Sequence, residues 1–268
     1  MPTQEKCRIL EHQKVAPDIY RITLASSYIA SHAKPGQFVN VKCSDACDPL
    51  LRRPLSIHQI SEQHKTFTLL YRVVGKATHR LSQYNVGAEI DVLGPLGNGF
   101  KIPEEKKIHV LVGGGMGAAP LLALSELITQ DSRLKTALYV LLGSGTHGDV
   151  LCEEDFKKIT DQVLVSTDDG SYGKKGLVSE VLLEVLNNTI QTSNAANTTI
   201  YACGPHPMLH AIADIAYQKQ IDCQLSMEAY MACGIGTCLG CVIQTRGGYK
   251  KVCDEGPIFD AKEILWQS

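Results

Sequence analysis

Apolar and polar positions trade places with a period of two over residues 8–15, 19–25, 37–43, 55–60, 66–74 and 89–93, the signature of strands with one buried face. Turn residues separate the runs at Pro17-Asp18, Lys34-Pro35-Gly36 and Asn85-Val86-Gly87. Six short strands with no long helix among them predict a small antiparallel barrel, closed on itself so that no edge stays open. After a charged connector at 103–107 the period changes. Strands at 108–112, 136–142, 162–166, 198–202 and 223–226 are interleaved with helices at 118–129, 178–186 and 208–218, the alternation of a doubly wound parallel sheet. Past Ser226 only a small hairpin is predicted, with strands at 242–245 and 250–252 turned by Gly247-Gly248. The fold class is therefore α/β plus β: a six-stranded antiparallel barrel over 1–101, a doubly wound parallel sheet over 102–226 and a small C-terminal domain over 227–268.

With 268 residues, 44% of them hydrophobic, the chain reads as a soluble globular protein with more than one core. A net charge of −2 gives no basic stripe for nucleic acid. The apolar run 110–128 is broken by Gly113, Gly114, Gly115, Gly117 and Pro120, so it predicts no membrane span. The first residues, Met-Pro-Thr-Gln-Glu-Lys-Cys, show no apolar export segment. A cytoplasmic location is expected, where thiols stay reduced. That matters because four of the ten cysteines, Cys233, Cys238, Cys241 and Cys253, fall within twenty-one positions. Their C-x4-C-x2-C spacing with one distant cysteine is the plant-type arrangement for a [2Fe-2S] cluster. A structural zinc ion also accepts four cysteines, usually as two C-x2-C pairs, and stays open as an alternative. Gly234, Gly236 and Gly240 are expected to fold the loop tightly, through backbone angles that glycine tolerates, and to turn N–H groups toward sulfur. Cys7, Cys43, Cys47, Cys152 and Cys223 read as small buried or surface residues.

Three further stretches carry candidate chemistry. Arg52-Arg53-Pro54-Leu55-Ser56 opens a strand, where an arginine fork suits a diphosphate and a serine can reach a polar ring edge; a solvated arginine pair is the plainer reading. Leu70-Tyr71-Arg72-Val73-Val74-Gly75-Lys76-Ala77-Thr78 runs from a strand through a glycine turn into a helix, a start that favours phosphate, with Tyr71 placed to lie on a flat ring. Gly113-Gly-Gly115-Met-Gly117-Ala118 fits G-x-G-x-x-A between a strand and a helix, where glycine lets a pyrophosphate approach the backbone. The acidic residue that the dehydrogenase fingerprint wants about twenty positions later is missing. No Arg or Lys closely follows the second strand to grip a 2′-phosphate, which favours NAD over NADP. His206 and His210 share a helix face without a third ligand in view and read as surface histidines.

The first two stretches, with Gly94-Pro-Leu-Gly-Asn-Gly-Phe100, resemble the flavin-binding barrel of the ferredoxin reductase superfamily. The resemblance implies that Arg53, Pro54, Leu55, Ser56, Leu70, Tyr71, Arg72, Ala77 and Thr78 line FAD. One departure is Ala77, where many relatives have glycine; a left-handed backbone there would cost about 1 kcal/mol. The glycine turn, with Thr167-Asp-Asp-Gly-Ser171 and Cys203-Gly-Pro205, resembles the pyridine-nucleotide domain of the same superfamily. That implies NAD as co-substrate on Gly113, Gly115 and Gly117, with Cys203 near the nicotinamide and flavin rings. The order of barrel, nucleotide domain and C-terminal cysteines resembles the electron transfer subunits of dihydroorotate dehydrogenase B, most specifically at Arg53-Pro-Leu-Ser56, Met231-Ala-Cys233-Gly-Ile-Gly-Thr-Cys238-Leu-Gly-Cys241 and Cys253. This implies cluster ligation by the four cysteines and a partner, the FMN-containing dihydroorotate dehydrogenase catalytic subunit, in a heterotetramer of two of each. Electrons from dihydroorotate would pass through FMN, the cluster and FAD to NAD, in pyrimidine synthesis. Electron counting agrees, because NAD moves electrons in pairs and a cluster singly, so a flavin is needed between them. No pocket for an organic substrate and no general base stand out, so a partner must supply the other half-reaction. Two other readings stay open: the flavin/iron–sulfur subunit of a ferredoxin:NAD(P) reductase or sulfide dehydrogenase, and a non-catalytic redox-sensing or zinc-stabilised module.

Overall fold

The structure, a computed structural model, describes residues 1–130, 136–190 and 192–266. Its contacts divide the chain into two compact units. The first contains, in chain order, β1 (Thr3–Ala16), β2 (Ile19–Ala25), α1 (Ser27–His32), β3 (Phe38–Val41), β4 (Arg53–Ser61), β5 (Thr66–Arg72), α2 (Lys76–Leu81) and β6 (Glu89–Leu96). The six strands form the expected closed antiparallel barrel, in the order β1-β2-β5-β4-β3-β6.

Alternation drives the closure. Cys7, Ile9, Ile22, Leu24, Val39, Val41, Ile57, Phe67, Leu69, Tyr71, Ile90 and Val92 all turn into one core, each large aliphatic side chain contributing about 1.5–3 kcal/mol of burial. The first strand extends beyond the predicted 8–15 because its opening residues pair with β6, from Thr3 opposite Gly94 to Arg8 opposite Glu89, while its register on β2 slips between Ile9 and Glu11 and again between Lys14 and Ala16. Such bulges break the two-residue period. The turns lie where glycine and Asp18 mark them, with Gly36, Gly87 and Asp18 all at positive φ. The short helix α1 escapes the alternation entirely. Ser26 Oγ caps it by accepting from Ile29 N–H at 2.9 Å, and Ile29 and Ala30 are buried.

The second unit holds β7 (Ile108–Gly114), α3 (Ala119–Gln130), β8 (Ala137–Ser144), α4 (Glu153–Lys157), β9 (Val163–Thr167), β10 (Lys174–Lys175), α5 (Val178–Glu184), β11 (Thr198–Cys203), α6 (His206–Lys219) and β12 (Asp222–Ser226). The C-terminal segment adds a hairpin of β13 (Val242–Thr245) and β14 (Gly248–Lys251), followed by β15 (Ile258–Asp260). The sheet order is β10-β9-β8-β7-β11-β12-β15, parallel throughout except for β15, which runs antiparallel on β12. One edge is thus covered by β15, and the other is a two-residue strand of exposed lysines, a form that resists pairing with another chain. Helix α5 stops before the predicted 186 because Val185–Ile190 widens into a π-helix. Among the described residues no helix is long and apolar enough to cross a membrane.

The segment after Met227, expected as a domain of its own, divides its contacts. Glu228–Ile243 and Tyr249–Pro257 belong to the barrel unit, whereas Gln244–Gly248 and Ile258–Ser268 belong to the sheet unit.

The sheet core contains one titratable side chain with a clear thermodynamic consequence. His109, fully buried, lies opposite Thr199 in the β7/β11 ladder, with Nδ1 3.2 Å from the Tyr201 hydroxyl. Burial, aided by the Lys107 charge, lowers its pKa from 6.5 to about 4. Between those values the unfolded chain binds a proton that the folded chain refuses, so stability falls as pH drops through that window and levels off below it. The loss is up to about 3 kcal/mol. Urea unfolding midpoints measured across this range should decline, and His109→Gln should flatten the decline.

Candidate functional site

The cysteine loop follows β12 and has no regular secondary structure through Cys241. Its shape comes from backbone angles that side chains rarely adopt. Gly234 and Gly236 have φ of 70° and 80°, and Leu239 has φ of 57°. Gly240, expected to supply such an angle, does not; its neighbour Leu239 carries the left-handed turn instead. The result directs N–H groups at sulfur. Gly236 N–H donates to Cys253 Sγ at 3.1 Å. Cys238 N–H donates to Cys233 Sγ, Gly240 N–H to Cys238 Sγ and Cys253 N–H to Cys241 Sγ, each at 3.4 Å. Cys253 lies just past β14 rather than on it.

These contacts set the acidity of the thiols. Burial raises the Cys233 pKa, but N–H groups of Ile235, Cys238 and Thr237 and the Cys238 thiol outweigh it and bring the group down to about 6. Burial and the neighbouring Cys241 thiol push Cys253 up to about 12, against the Gly236 N–H. The thiols approach as two pairs, Cys233 with Cys238 and Cys241 with Cys253. Among the described residues no three His, Cys, Asp or Glu side chains converge on one point as ligands of a single ion. Four soft donors in two pairs, with backbone N–H groups on their sulfurs, have the chemistry that a two-iron cluster needs.

On the barrel, Leu55 and Ile57 turn toward the core, so the alternating positions Pro54 and Ser56 of β4 lie on the outer face. The two arginines have separate tasks. Arg52 is structural: its guanidinium donates to Asp91 Oδ1 at 2.8 Å and to the carbonyls of Asn40 and Asp91. Arg53 is half-exposed and donates to its own loop, at the Leu51 carbonyl at 2.7 Å and the Arg52 carbonyl at 3.3 Å. Leu70 and Arg72 alternate with Tyr71 along β5. The Tyr71 side chain is 1% exposed and points into the core, stacked on Tyr20 with its hydroxyl 2.8 Å from His12 Nε2. It is therefore no platform for a ring; only its main chain can meet a ligand on the outer face. Thr78 is buried and ties the turn before α2, accepting from Val74 N–H at 3.0 Å and donating to the Gly75 carbonyl at 3.1 Å. Ala77 sits inside α2 and is not among the positive-φ residues, so the missing glycine costs nothing.

In the sheet unit the strand order reverses between β7 and β11, the switch point where such folds bind ligands. Gly113, one residue before the end of β7, lies opposite Cys203, which ends β11. A Cβ at Gly113 would lie 2.9 Å from Ala118 Cα, and one at Gly117 would fall on the Cys203 carbonyl. Gly115 has φ of 53° and open space beside it. These glycines serve close packing at two positions and a left-handed turn at the third. Cys203 is 4% exposed. Beyond β8 the surface is polar and carries both signs of charge: Thr146 donates to Asp149 at 3.0 Å, Ser171 donates to Asp169 at 2.6 Å, and the Lys175 side chain lies beside Gly170. His206 and His210 do face one way, toward Trp266, on which His210 stacks at 4.7 Å.

Three family models match. An oxidoreductase FAD-binding domain covers residues 6–101, an oxidoreductase NAD-binding domain covers 111–214, and the iron–sulfur cluster binding domain of dihydroorotate dehydrogenase B covers 228–265. The electron transfer subunit of dihydroorotate dehydrogenase B (NAD(+)) from Desulforamulus reducens is 36% identical over 264 residues, covering 97% of both chains. That from Geobacillus sp. (strain WCH70) is 38% identical, over 99% of this chain and all of its own. This chain belongs to the dihydroorotate dehydrogenase B electron transfer subunit family. Among solved structures, that of an NADH-dependent reduced ferredoxin-NADP oxidoreductase superposes with a TM-score of 0.84 at 29% identity, over 98% of this chain and 90% of that one. The ferredoxin reductase of carbazole 1,9a-dioxygenase, at 19% identity and a TM-score of 0.68, shares the fold.

Within this family assignment, two residues that the motifs did not single out stand beside the cysteines. Asn40 is a buried amide on β3 between two core valines, contacting the Cys233 carbonyl at 3.4 Å. A polar residue in the middle of Phe38-Val-Asn-Val41 was its only signal. Leu239 is 63% exposed in a left-handed turn, and the sequence marks it only as the leucine inside C-x2-C.

Proposed function

We propose that this chain works as the electron transfer subunit of dihydroorotate dehydrogenase B, exchanging electrons between NAD and a catalytic partner subunit. The observation that carries the reading is the cysteine loop, with backbone N–H groups directed at four paired sulfurs, in a chain that aligns end to end with that family. Bound FAD supplies the exchange between hydride chemistry at NAD and one-electron chemistry at iron. The residues divide the work in three along the chain: 1–101 for FAD, 102–226 for NAD and 227–268 for the [2Fe-2S] cluster. Arg53 offers its guanidinium to the FAD diphosphate, while Pro54, Ser56, Leu70, Arg72, Ala77, Thr78 and the main chain of Leu55 and Tyr71 form the bed for the rest. Gly113, Gly115 and Gly117 let NAD approach the backbone, and Cys203 stands at the end of the neighbouring strand. No Arg or Lys closely follows β8 to grip a 2′-phosphate, which favours NAD over NADP.

The partner in this reading is the FMN-containing catalytic subunit, in a cytoplasmic heterotetramer of two of each. Supporting it, large apolar side chains crowd the neighbourhood of the cysteines in exposed positions: Tyr230 (97% exposed), Ile235, Leu239, Val242 and Tyr249. Exposed apolar surface of that kind marks a protein interface. The likeness to a ferredoxin-NADP oxidoreductase favours one second reading, in which ferredoxin takes the partner's place.

The test is reconstitution. Mixed with the catalytic subunit, the protein should reduce NAD in a dihydroorotate-dependent way, and its spectrum should show flavin with equimolar [2Fe-2S]. NAD reduction driven by reduced ferredoxin, and not by the dihydroorotate pair, would select the second reading; zinc without flavin would overturn both. Arg53→Ala should leave the barrel folded and loosen FAD, read as flavin lost on gel filtration. Unchanged flavin content would remove Arg53 from the diphosphate site.

A further inference from the structure

We propose that Asn40 is a positioning residue for the cysteine loop, clamping the backbone at Cys233-Gly234 onto the barrel face that carries Pro54 and Ser56. This rests on the reading that the four cysteines hold a [2Fe-2S] cluster. Asn40 is 1% exposed and sits on β3 as the register partner of Pro54, two pairs from the Phe38–Ser56 pairing. Its flanking residues Val39 and Val41 face the core, so Asn40 shares the outer face with Pro54 and Ser56. From there its Nδ2 donates to the Cys233 carbonyl at 3.4 Å, while Oδ1 is buried without a partner. A buried amide left half satisfied costs about 1–3 kcal/mol, so packing alone would favour valine or leucine at this position.

The loop is shaped to the amide in return. Gly234 has φ of 70°, and a Cβ there would overlap Asn40 Nδ2. The strand carrying Asn40 is itself pinned, because the Asn40 carbonyl accepts from Arg52, whose guanidinium is paired with Asp91 at 2.8 Å. One side chain therefore touches the first cysteine ligand and lies beside the strand that carries the flavin motif. Outer groups that orient ligands typically affect metal retention by 10–100-fold.

The experiment uses the full chain with its native cofactors. Asn40→Leu keeps the branched shape and removes the donor. It should retain flavin and its reduction by NADH, lose iron to a chelator about tenfold faster, and change the line shape of the reduced cluster in electron paramagnetic resonance. Gly234→Ala should give the same signature, and the double variant Asn40→Ala/Gly234→Ala should retain iron better than Gly234→Ala alone, because the obstructing amide is gone. Wild-type iron loss and line shape in Asn40→Leu, or no rescue in the double variant, would overturn the proposal. If Asn40→Leu does not fold, the Gly234 pair decides. A wild-type protein without a [2Fe-2S] signal would instead overturn the cluster reading itself.

Discussion

Serine in place of Cys238 should strip the iron from this protein and leave its flavin reducible by NADH. Cys238 is the exposed member of the four and holds two loop contacts at once, its N–H on Cys233 Sγ and its own Sγ under the Gly240 N–H. A serine hydroxyl is a hard donor with an ordinary pKa far above neutrality, whereas iron–sulfur clusters select thiolates. The loss of one ligand of four should lower coupled transfer to the partner by more than about 100-fold. Because the loop has no helix or strand of its own, cluster binding should also form part of its folding free energy, and the variant should melt earlier. The residues assigned to flavin and nucleotide lie on the barrel and the sheet, so bleaching of the flavin by NADH should persist. Iron and sulfide analysis beside a stopped-flow record of flavin reduction checks both halves. Full coupled activity in the variant would remove Cys238 from the ligand set.

The second large effect is expected at Gly117. A Cβ there would meet the Cys203 carbonyl and the Gly204 nitrogen, all of it backbone at the end of a central strand, with no flexible side chain to give way. Gly117→Ala must push the turn away from β11, at a cost of about 1–3 kcal/mol in stability. The same displacement moves the switch-point loop that NAD must approach. We expect the KM for NADH to rise by about tenfold or more, equivalent to about 1.4 kcal/mol, with flavin and iron contents unchanged. Gly115→Ala is the contrast: its neighbourhood is open, so only the φ of 53° resists, at roughly 1 kcal/mol. Equal NADH kinetics in the wild type and Gly117→Ala would show that the turn does not hold the nucleotide.

Much of this architecture was legible in the chain, for identifiable reasons. Barrel strands with clean alternation, such as β2 (Ile19–Ala25), coincide with their expected bounds, and the cysteine spacing pointed to its chemistry before any coordinates. Where the reading fell short, a second influence competed with the pattern. In β1 the first residues join the sheet by pairing with β6, far along the chain, a partner that the local pattern does not show. At Tyr71 the motif was read as a side-chain platform for a ring, but strand alternation turns the side chain inward, and nothing local in the motif says which face of the strand it takes. At Arg52-Arg53 two identical residues part company because only Arg52 faces Asp91 across the sheet, a long-range pairing that local sequence does not show. Asn40 was missed because its partner, Cys233, is 193 residues away.

The strand β15 has an implication for how the molecule is made. It is the last strand among the described residues and covers Gln224, Leu225 and Ser226 of β12, whose outer N–H and C=O groups would otherwise be bare. A ribosome releases β12 well before β15, with all four cysteines between them. The nascent sheet thus stays sticky along one side until the thiols have emerged. Truncated proteins ending near residue 226 should self-associate, and delivery of iron to the growing polypeptide falls in the same interval as completion of the sheet.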